Sequence, residues 1–295
     1  CIRDRLQDEA SKFLIKEEAL KANRAVMETK SNYDPELWQK IVQLGWTGIR
    51  IPEEFGGLGL GHLELCVIAE ELGRQLAPVP FSSSVYLFTE ALLEFASEEQ
   101  KTQILPQLVS GEVVGTFAMA ETAAAPTEQN LVVNYADGKL SGKKIAVPDA
   151  EVASHAIVVA KENNHATMCL VNLKDASVTV EKQNNIDESR GYFSIDFKNT
   201  PAEIIGDSGS GWLHAEKILN HAATLFAFEQ IGGAQETLDM ATAYAKERYA
   251  FGRPIGSFQA IKHKLADMYI ALTLAKSNSY YACLLYTSPS PRDDL

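Results

Sequence analysis

The spacing of apolar residues changes twice along this chain, and that double change constrains its fold more than any other sequence feature. The first third carries apolar residues at helical intervals, for example Leu37, Ile41 and Leu44. The middle third switches to short strand-like runs separated by turn signals such as Asp137-Gly138. The last third returns to long helical patterns. An order of helices, sheet and helices predicts an α+β protein with segregated layers instead of alternating βαβ units.

Capping residues indicate where two of the first helices begin and where one of them ends. Asp34 precedes Pro35, which places a capping carboxylate before a proline at the first helical position. Gly45 stands where a C-terminal cap is expected. Ser97 and Gln100 have the spacing of a capping box, so we predict that a second helix begins there.

Composition and charge exclude several classes of function. A length of 295 residues suggests two domains, or three small ones. The formal net charge of −12 argues against nucleic acid as a partner, and no apolar run approaches the roughly 20 residues that cross a bilayer. The four cysteines and six histidines lack the spacings of common metal sites, so we expect no metal. Scattered free thiols fit a reducing compartment, which predicts a cytoplasmic protein.

Two stretches of the sequence could bind a ligand. In residues 248–263, Arg248 offers a planar, permanently charged group suited to pyrophosphate, Phe251 an aromatic face and Gln259 an amide. In residues 115–122, a strand would lead into a loop whose backbone N–H groups could face a ligand. Composition alone favours a plain interhelical loop for the first stretch, and the second is equally explained as a buried strand end.

Together these stretches resemble the acyl-CoA dehydrogenase family. Residues 52–60, Pro-Glu-Glu-Phe-Gly-Gly-Leu-Gly-Leu, are similar to that family's N-terminal loop, and residues 71–74 fit the helix that follows. The pattern R-x-x-F-G-(x)6-Q that begins at Arg248 resembles the family's dimer-interface flavin motif. The likeness covers nearly all of residues 1–283 and agrees with the order of helices, sheet and helices.

The resemblance implies an α+β multidomain fold. Residues 1–112 would form an N-terminal helical bundle, residues 113–205 a central antiparallel β sandwich or barrel, and residues 206–283 the truncated start of a C-terminal helical bundle. The remaining residues, 284–295, change to a polar, proline-broken sequence, which we interpret as a foreign or disordered tail. Because residue 1 is Cys and no signal-like segment follows, we expect the true start of the protein to lie outside this sequence. The change of sequence at 284 leads us to expect that the natural C-terminus is missing as well.

The resemblance also implies that FAD binds between the β domain and the C-terminal helices. Arg248, Phe251 and Gln259 would reach the FAD of a neighbouring subunit. The full set of implied cofactor-binding residues is Phe117, Ala118, Met119, Ala120, Ala146, Val147, Pro148, Arg248, Phe251, Phe258 and Gln259.

The implied reaction is α,β-dehydrogenation of an acyl-CoA thioester, as in fatty acid metabolism. A carboxylate would remove the α proton, and flavin N5 would take the β hydride. The implied partners are the acyl-CoA substrate and an electron-transfer flavoprotein or a similar acceptor. A homo- or hetero-oligomer, such as a tetramer, would assemble through the C-terminal helical domain.

Several positions depart from the family pattern. Ala120 replaces a threonine that bonds the flavin, Ala146 replaces a tryptophan that covers it, and Pro148 replaces the next hydroxyl residue. On the long helix, Ala223 replaces the substrate-side arginine, and Ala222 replaces the catalytic glutamate of some members. The commoner catalytic glutamate lies beyond this sequence, so we assign no catalytic residue within it.

Three hypotheses remain open. The first is an active dehydrogenase whose catalytic base lies outside this sequence. The second is a catalytically degenerate structural subunit that lends Arg248 and Gln259 to an active partner, and the third is an acyl-CoA oxidase. Glu229 is a carboxylate among apolar residues, but we interpret it as a paired or solvated helix residue and not as a substitute base.

Overall fold

A computed structural model describes residues 2–287, with side chains for residues 4–285. Its α-helices are α1 (Ile2–Lys16), α2 (Ala19–Thr29), α3 (Pro35–Gln43), α4 (His62–Arg74), α5 (Glu90–Phe95), α6 (Glu98–Ser110), α7 (Gly211–Glu247) and α8 (Gln259–Thr287). A π-helical segment spans Ser82–Thr89, and short 3-10 turns span Trp46–Gly48, Glu53–Phe55, Glu128–Asn130 and Ile255–Ser257. The strands are β1 (Gly115–Ala118), β2 (Asn134–Ala136), β3 (Lys139–Pro148), β4 (His155–Glu162), β5 (His165–Asn172), β6 (Val178–Lys182), β7 (Tyr192–Ile205), β8 (Tyr249–Ala250) and β9 (Arg253–Pro254).

This succession confirms the predicted order of an N-terminal helical region, a central β region and a C-terminal helical region. The chain divides into two compact units. The helical unit comprises the residues up to Leu20, His62–Ala77 and the residues from Ala223 onward. The sheet unit comprises Lys21–Gly61 and Pro78–Ala222. Of the predicted tail at 284–295, the first four residues continue α8, and residues 288–295 lie outside the described residues.

The local signals that predicted helix and turn boundaries act as expected. The Asp34 carboxylate accepts hydrogen bonds from two N–H groups in the first turn of α3, and Gly45 follows that helix with a left-handed φ of 75°. Ser97 and Gln100 form the reciprocal bonds of a capping box. The hairpin turn at Asp137 and Gly138 has positive φ at both residues, as a tight turn between twisted strands requires.

The strands of the sheet unit form a barrel. Following hydrogen-bonded neighbours from β4 through β2, β3, β7 and β5 leads back to β4, while β1 pairs with β4 and β6 with β7. Two pairings differ from the predicted antiparallel arrangement, because β1 and β2 each run parallel to β4. Neither strand is joined to β4 by a hairpin, so chain connectivity does not impose an antiparallel direction. The interior is apolar and includes Val133, Leu140, Val147, Val158, Cys169, Phe193, Ile195 and Phe197.

Two helices of the helical unit, α4 and α7, touch through their backbones. A Cβ atom on Gly73 would lie 2.1 Å from the carbonyl oxygen of Glu229, and one on Gly232 would lie 1.9 Å from that of Glu70. Only glycine permits so close an approach. The Gly232-Gly233 pair, a helix breaker by propensity, therefore lies within an unbroken α7 because tertiary contact outweighs propensity.

Charged side chains flank this crossing and hold the two helices together. Arg74 at the end of α4 donates from Nε to Glu236, at 2.8 Å, and from a terminal nitrogen to Asp239, at 2.7 Å. Both carboxylates lie on α7, one turn or more beyond the glycine pair, so the ion pairs set the register of the crossing.

None of the helices within residues 2–287 is both long enough and apolar enough to cross a membrane.

Gly232→Ala should lower the free energy of unfolding by about 3 kcal/mol or more, because the new methyl group overlaps a carbonyl oxygen and the helices must separate. Gly233→Ala is the matched control. The nearest atom to a Cβ at that position is the carbonyl oxygen of Gly73 at 3.5 Å, so this variant should be neutral or gain up to about 1 kcal/mol from helix propensity. Urea denaturation of both variants provides the comparison, and equal effects would contradict the close crossing.

Candidate active site

The ends of β1 and β3, which carry the predicted flavin-facing segments, lie side by side in the sheet unit. The Ile145 N–H donates to the carbonyl oxygen of Ala120 at 2.8 Å. The Thr116 hydroxyl donates to the carbonyl oxygen of Pro148 at 2.6 Å. The fold therefore brings together two stretches that β2 separates along the chain. Hydrogen bonds to the backbone carbonyl oxygens of Ala120 and Pro148 connect them.

The two segments contain buried, half-buried and exposed residues. Such a mixture can form a firmly held surface against which a planar ligand packs. The apolar anchors are buried, while other residues of the two segments reach the surface. The buried members of the predicted set are Phe117, Ala118 and Val147; Met119, Ala120 and Pro148 are half-buried, and Ala146 is exposed.

A bulge interrupts β3 at the exposed residue. The register between β3 and β7 shifts between Lys144 and Val147, and Ala146 has a left-handed φ of 51°. Its N–H donates to the side-chain oxygen of Gln183 at 2.7 Å. A positive φ at a residue with a Cβ is strained, and such strain and bulges concentrate at functional sites.

A buried ion pair also connects the residues that follow β1 to strand β3. Lys144 Nζ lies 2.7 Å from Glu121 Oε1 and donates to the carbonyl oxygen of Met119 at 2.9 Å. The Glu121 carboxylate also accepts from the N–H groups of Val132, at 2.6 Å, and Val133, at 3.1 Å. One pair of charges therefore fixes the residues after β1 to β3 and to the segment that leads into β2.

Burial lowers the pKa of Lys144 to about 8, and the hydrogen bond and charge of Glu121 only partly oppose this effect. The Lys144 side chain is 0% exposed and that of Glu121 is 8% exposed. Sequence reasoning missed this pair, because a glutamate that follows β1 and a lysine within β3 have no spacing that marks them as partners.

Lys144→Met should lower the free energy of unfolding at pH 7 by about 3 kcal/mol, because it leaves the Glu121 carboxylate buried without its cation. Lys143→Met is the matched control. Lys143 forms an exposed pair with Glu181 at 3.5 Å, and its loss should cost less than about 0.5 kcal/mol.

The same variant tests the lowered pKa. Between pH 8 and 10.5 the unfolded chain keeps a proton on Lys144 that the folded protein has released, so this group makes the free energy of unfolding rise with pH. The difference between wild type and Lys144→Met should grow by up to about 1.4 kcal/mol per pH unit in that window. Urea titrations at pH 7, 8, 9 and 10 measure it, and a constant difference would argue against a perturbed lysine.

The remaining predicted residues lie on a short arm in the helical unit, residues 248–259, which runs from the end of α7 to the first residue of α8. Strands β8 and β9 form a two-stranded hairpin, closed by the N–H of Ile255 donating to the carbonyl oxygen of Arg248 at 2.8 Å. Phe251 and Gly252 form its turn with φ values of 54° and 78°. The Phe251 ring is 96% exposed at the tip, so the arm presents an apolar surface to its surroundings.

Two polar side chains of the arm are also exposed and could contact a ligand. Within the part of the chain that the structure describes, the side chains of Arg248 and Gln259 are exposed and make no hydrogen bond or ion pair. Phe258 is held from two sides, with the Arg253 guanidinium 4.1 Å from its ring centroid and the Phe251 ring edge-on at 6.3 Å. A guanidinium, an aromatic ring and an amide that are unsatisfied internally fit the pyrophosphate and ring edges of a dinucleotide.

The sequence-predicted residues therefore fall into two groups, one in each compact unit: Phe117–Ala120 with Ala146–Pro148, and Arg248–Gln259.

The positions where proton transfer would be expected on α7 carry no titratable group. Ala222 is buried and Ala223 is exposed, and neither methyl side chain can exchange a proton. Glu229 is half-buried on the same helix, where its backbone meets Gly73. Among the described residues, no cluster of three or more His, Cys, Asp and Glu side chains could hold a metal ion.

Comparison with known proteins decides the family. The acyl-CoA dehydrogenase N-terminal domain profile matches residues 3–112, and the C-terminal domain profile matches residues 209–288. The acyl-CoA dehydrogenase IpdE2 of Mycolicibacterium smegmatis is 31% identical over 93% of this chain and 74% of its own length. The chain belongs to the acyl-CoA dehydrogenase family. This membership confirms the predicted enzyme class and its FAD cofactor, while the residue-level assignments stay predictions.

Solved structures of acyl-CoA dehydrogenases have the same fold. A steroid ACAD, the G363A variant of Tcur3481-Tcur3483, is 30% identical with a TM-score of 0.87, over 98% of this chain and 78% of that one. The ChsE4-ChsE5 complex of Mycobacterium tuberculosis contains a chain that is 26% identical with a TM-score of 0.85, over 97% of this chain and 78% of that one. The match therefore spans about three quarters of each of these two chains.

Proposed function

We propose that this acyl-CoA dehydrogenase catalyses α,β-dehydrogenation of an acyl-CoA thioester, with the α proton removed by a carboxylate outside this sequence. The observation that carries the proposal is the arm between α7 and α8, whose guanidinium, exposed ring and amide have the donor set that a dinucleotide needs. Bound FAD would supply the hydride acceptor.

The residues of this chain divide the work of binding. Met119, Ala120 and Pro148 form a half-buried ledge for the flavin ring, and the ion pair between Lys144 and Glu121 keeps that ledge rigid. Rigid backbone groups at this place can be aligned before substrate arrives, which is how an enzyme stabilises charge that develops at a thioester carbonyl.

The arm acts in trans in this proposal. Arg248 would grip the pyrophosphate of a neighbouring subunit's FAD by a bidentate contact, Gln259 would bond a ring edge, and Phe251 would pack against apolar surface. Its exposure supports this assignment, because a turn that carries a 96% exposed phenyl ring is poorly explained as the surface of an isolated protomer.

A second candidate function is a catalytically degenerate subunit of a heteromeric acyl-CoA dehydrogenase. The alanines at 222 and 223 support it, because they stand where the resemblance places a catalytic glutamate and a substrate-side arginine. Ala120, Ala146 and Pro148 likewise lack the hydroxyl and indole groups expected around the flavin. Such a subunit would lend Arg248 and Gln259 to an active partner.

The two functions, and an oxidase, are separated by purifying the full-length protein, including the segment that would carry the catalytic carboxylate, both alone and together with co-expressed homologous chains. An active dehydrogenase is expected to retain yellow flavin when purified alone and to be bleached by an acyl-CoA without oxygen consumption. Flavin that is retained only in the presence of a partner would favour the degenerate subunit. Oxygen uptake during turnover would identify an oxidase, whereas electron transfer to an electron-transfer flavoprotein would support the dehydrogenase. Failure to retain flavin under every condition would contradict the whole proposal.

Arg248→Ala should weaken FAD binding at least tenfold, because one bidentate charged contact to pyrophosphate is lost. The melting temperature without FAD should stay unchanged, since the side chain is exposed and makes no internal contact in the described structure. Lys262→Ala, an exposed cation in the first turn of α8, is the control for loss of one positive charge. Equilibrium dialysis with FAD measures both variants, and equal weakening would show that net charge alone matters.

The acyl group is proposed to be bulky. Ala120, Ala146, Ala222 and Ala223 are small residues at positions that the resemblance places near flavin and substrate. The likeness to a steroid ACAD supports the same substrate class. Bleaching by branched or polycyclic CoA esters is therefore expected to be faster than bleaching by butyryl-CoA, and the reverse order would contradict a widened pocket.

A further inference from the structure

Two cysteine side chains from distant parts of the chain meet in the helical unit. Cys66 lies on α4 and Cys283 lies near the end of α8, and their sulfur atoms are 3.5 Å apart. Both side chains are fully buried. The sequence indicated only scattered free thiols, and the fold brings two of them into contact.

The surroundings of Cys66 favour its protonated thiol. The hydrogen bond with Cys283 and burial both raise the pKa of the Cys66 thiol, and the nearby carboxylates of Glu64 and Glu70 add to the effect. Lys276 on α8 forms an ion pair with Glu70 at 2.6 Å, so its charge is directed to that carboxylate and not to a cysteine thiolate. Because the thiolate is the nucleophile, the closed structure holds the two sulfurs in contact but unreactive.

The neighbourhood of Cys283 along α8 includes an apolar groove. An apolar groove of about 520 Å³ lies between α7 and α8, and its lining extends along α8 as far as Ser279. Cys283 lies one helical turn beyond Ser279 on the same face of that helix. Local opening of the packing between α4 and α8 would expose both thiols to a small oxidant.

We propose that Cys66 and Cys283 are an oxidation site that closes into a disulfide in the presence of hydrogen peroxide and fastens the end of α8 to α4. One thiolate attacks a peroxide oxygen, the O–O bond breaks, and hydroxide leaves, which gives a sulfenic acid. The second thiol then attacks the sulfenic sulfur, the S–S bond forms, and water leaves. The sum is two thiols and one peroxide giving one disulfide and two waters. The sulfurs must approach by about 1.5 Å to reach bonding distance.

The test uses the full chain in a Cys1→Ser background, so that the described cysteines Cys66, Cys169 and Cys283 are the thiols counted. Folded protein is treated with hydrogen peroxide, denatured and digested without reductant. The expected result is the loss of two thiols, a cross-linked peptide containing both Cys66 and Cys283, and an apparent melting temperature several degrees higher that dithiothreitol reverses.

Three variants make the result specific. Cys66→Ala and Cys283→Ala should each abolish the cross-link and the rise in melting temperature, whereas Cys169→Ala, which removes a buried thiol in the barrel, should leave both intact. A cross-link to Cys169, a sulfinic acid at Cys66 without any cross-link, or cross-linking only in urea would each overturn the proposal. Because the readout is covalent and needs no flavin, it is independent of the proposed catalytic function.

Discussion

The candidate site depends on one buried charge pair. Lys144 and Glu121 tie three backbone segments together, namely the residues after β1, the middle of β3 and the approach to β2. In the barrel interior an unpaired charge would cost several kcal/mol, so the lysine and the carboxylate can be buried only together. Their hydrogen bonds to backbone groups then fix the positions of the strand ends relative to one another. The bulge at Ala146 lies within this fixed region.

The arm between α7 and α8 differs from this buried pair, because its charged and amide groups face the surroundings of the protomer. The exposed side chains of Arg248 and Gln259 make no hydrogen bond or ion pair in the described structure, so their polar groups are open to a ligand. These two side chains therefore add no internal polar contact that would stabilise their own protomer. Composition alone accordingly gave no reason to interpret the segment as more than a plain interhelical loop. Its geometry is nevertheless well defined, since a two-stranded hairpin with a left-handed turn fixes where the exposed ring points.

Most of the fold could be predicted from local signals, while the site could be predicted only in part. Caps such as Asp34 and the turn at Asp137 act between neighbours in sequence, so a short window contains all of their physics. The pairing of Lys144 with Glu121 and the close approach of Gly232 to α4 involve residues far apart in sequence. No periodicity records such contacts, and propensity misjudges them, as it does for a glycine pair in the middle of a long helix.

The sequence by itself determined the class of fold, through its two changes of hydrophobic period, and the family, through the pattern that begins at Arg248. Only the tertiary structure decided that the sheet closes into a barrel, that a lysine and a glutamate are buried as a pair, and that Cys66 and Cys283 touch. The physical reason is range: periodicity and capping are short-range properties of the chain, whereas desolvation, backbone contact and thiol proximity exist only once distant segments are packed together.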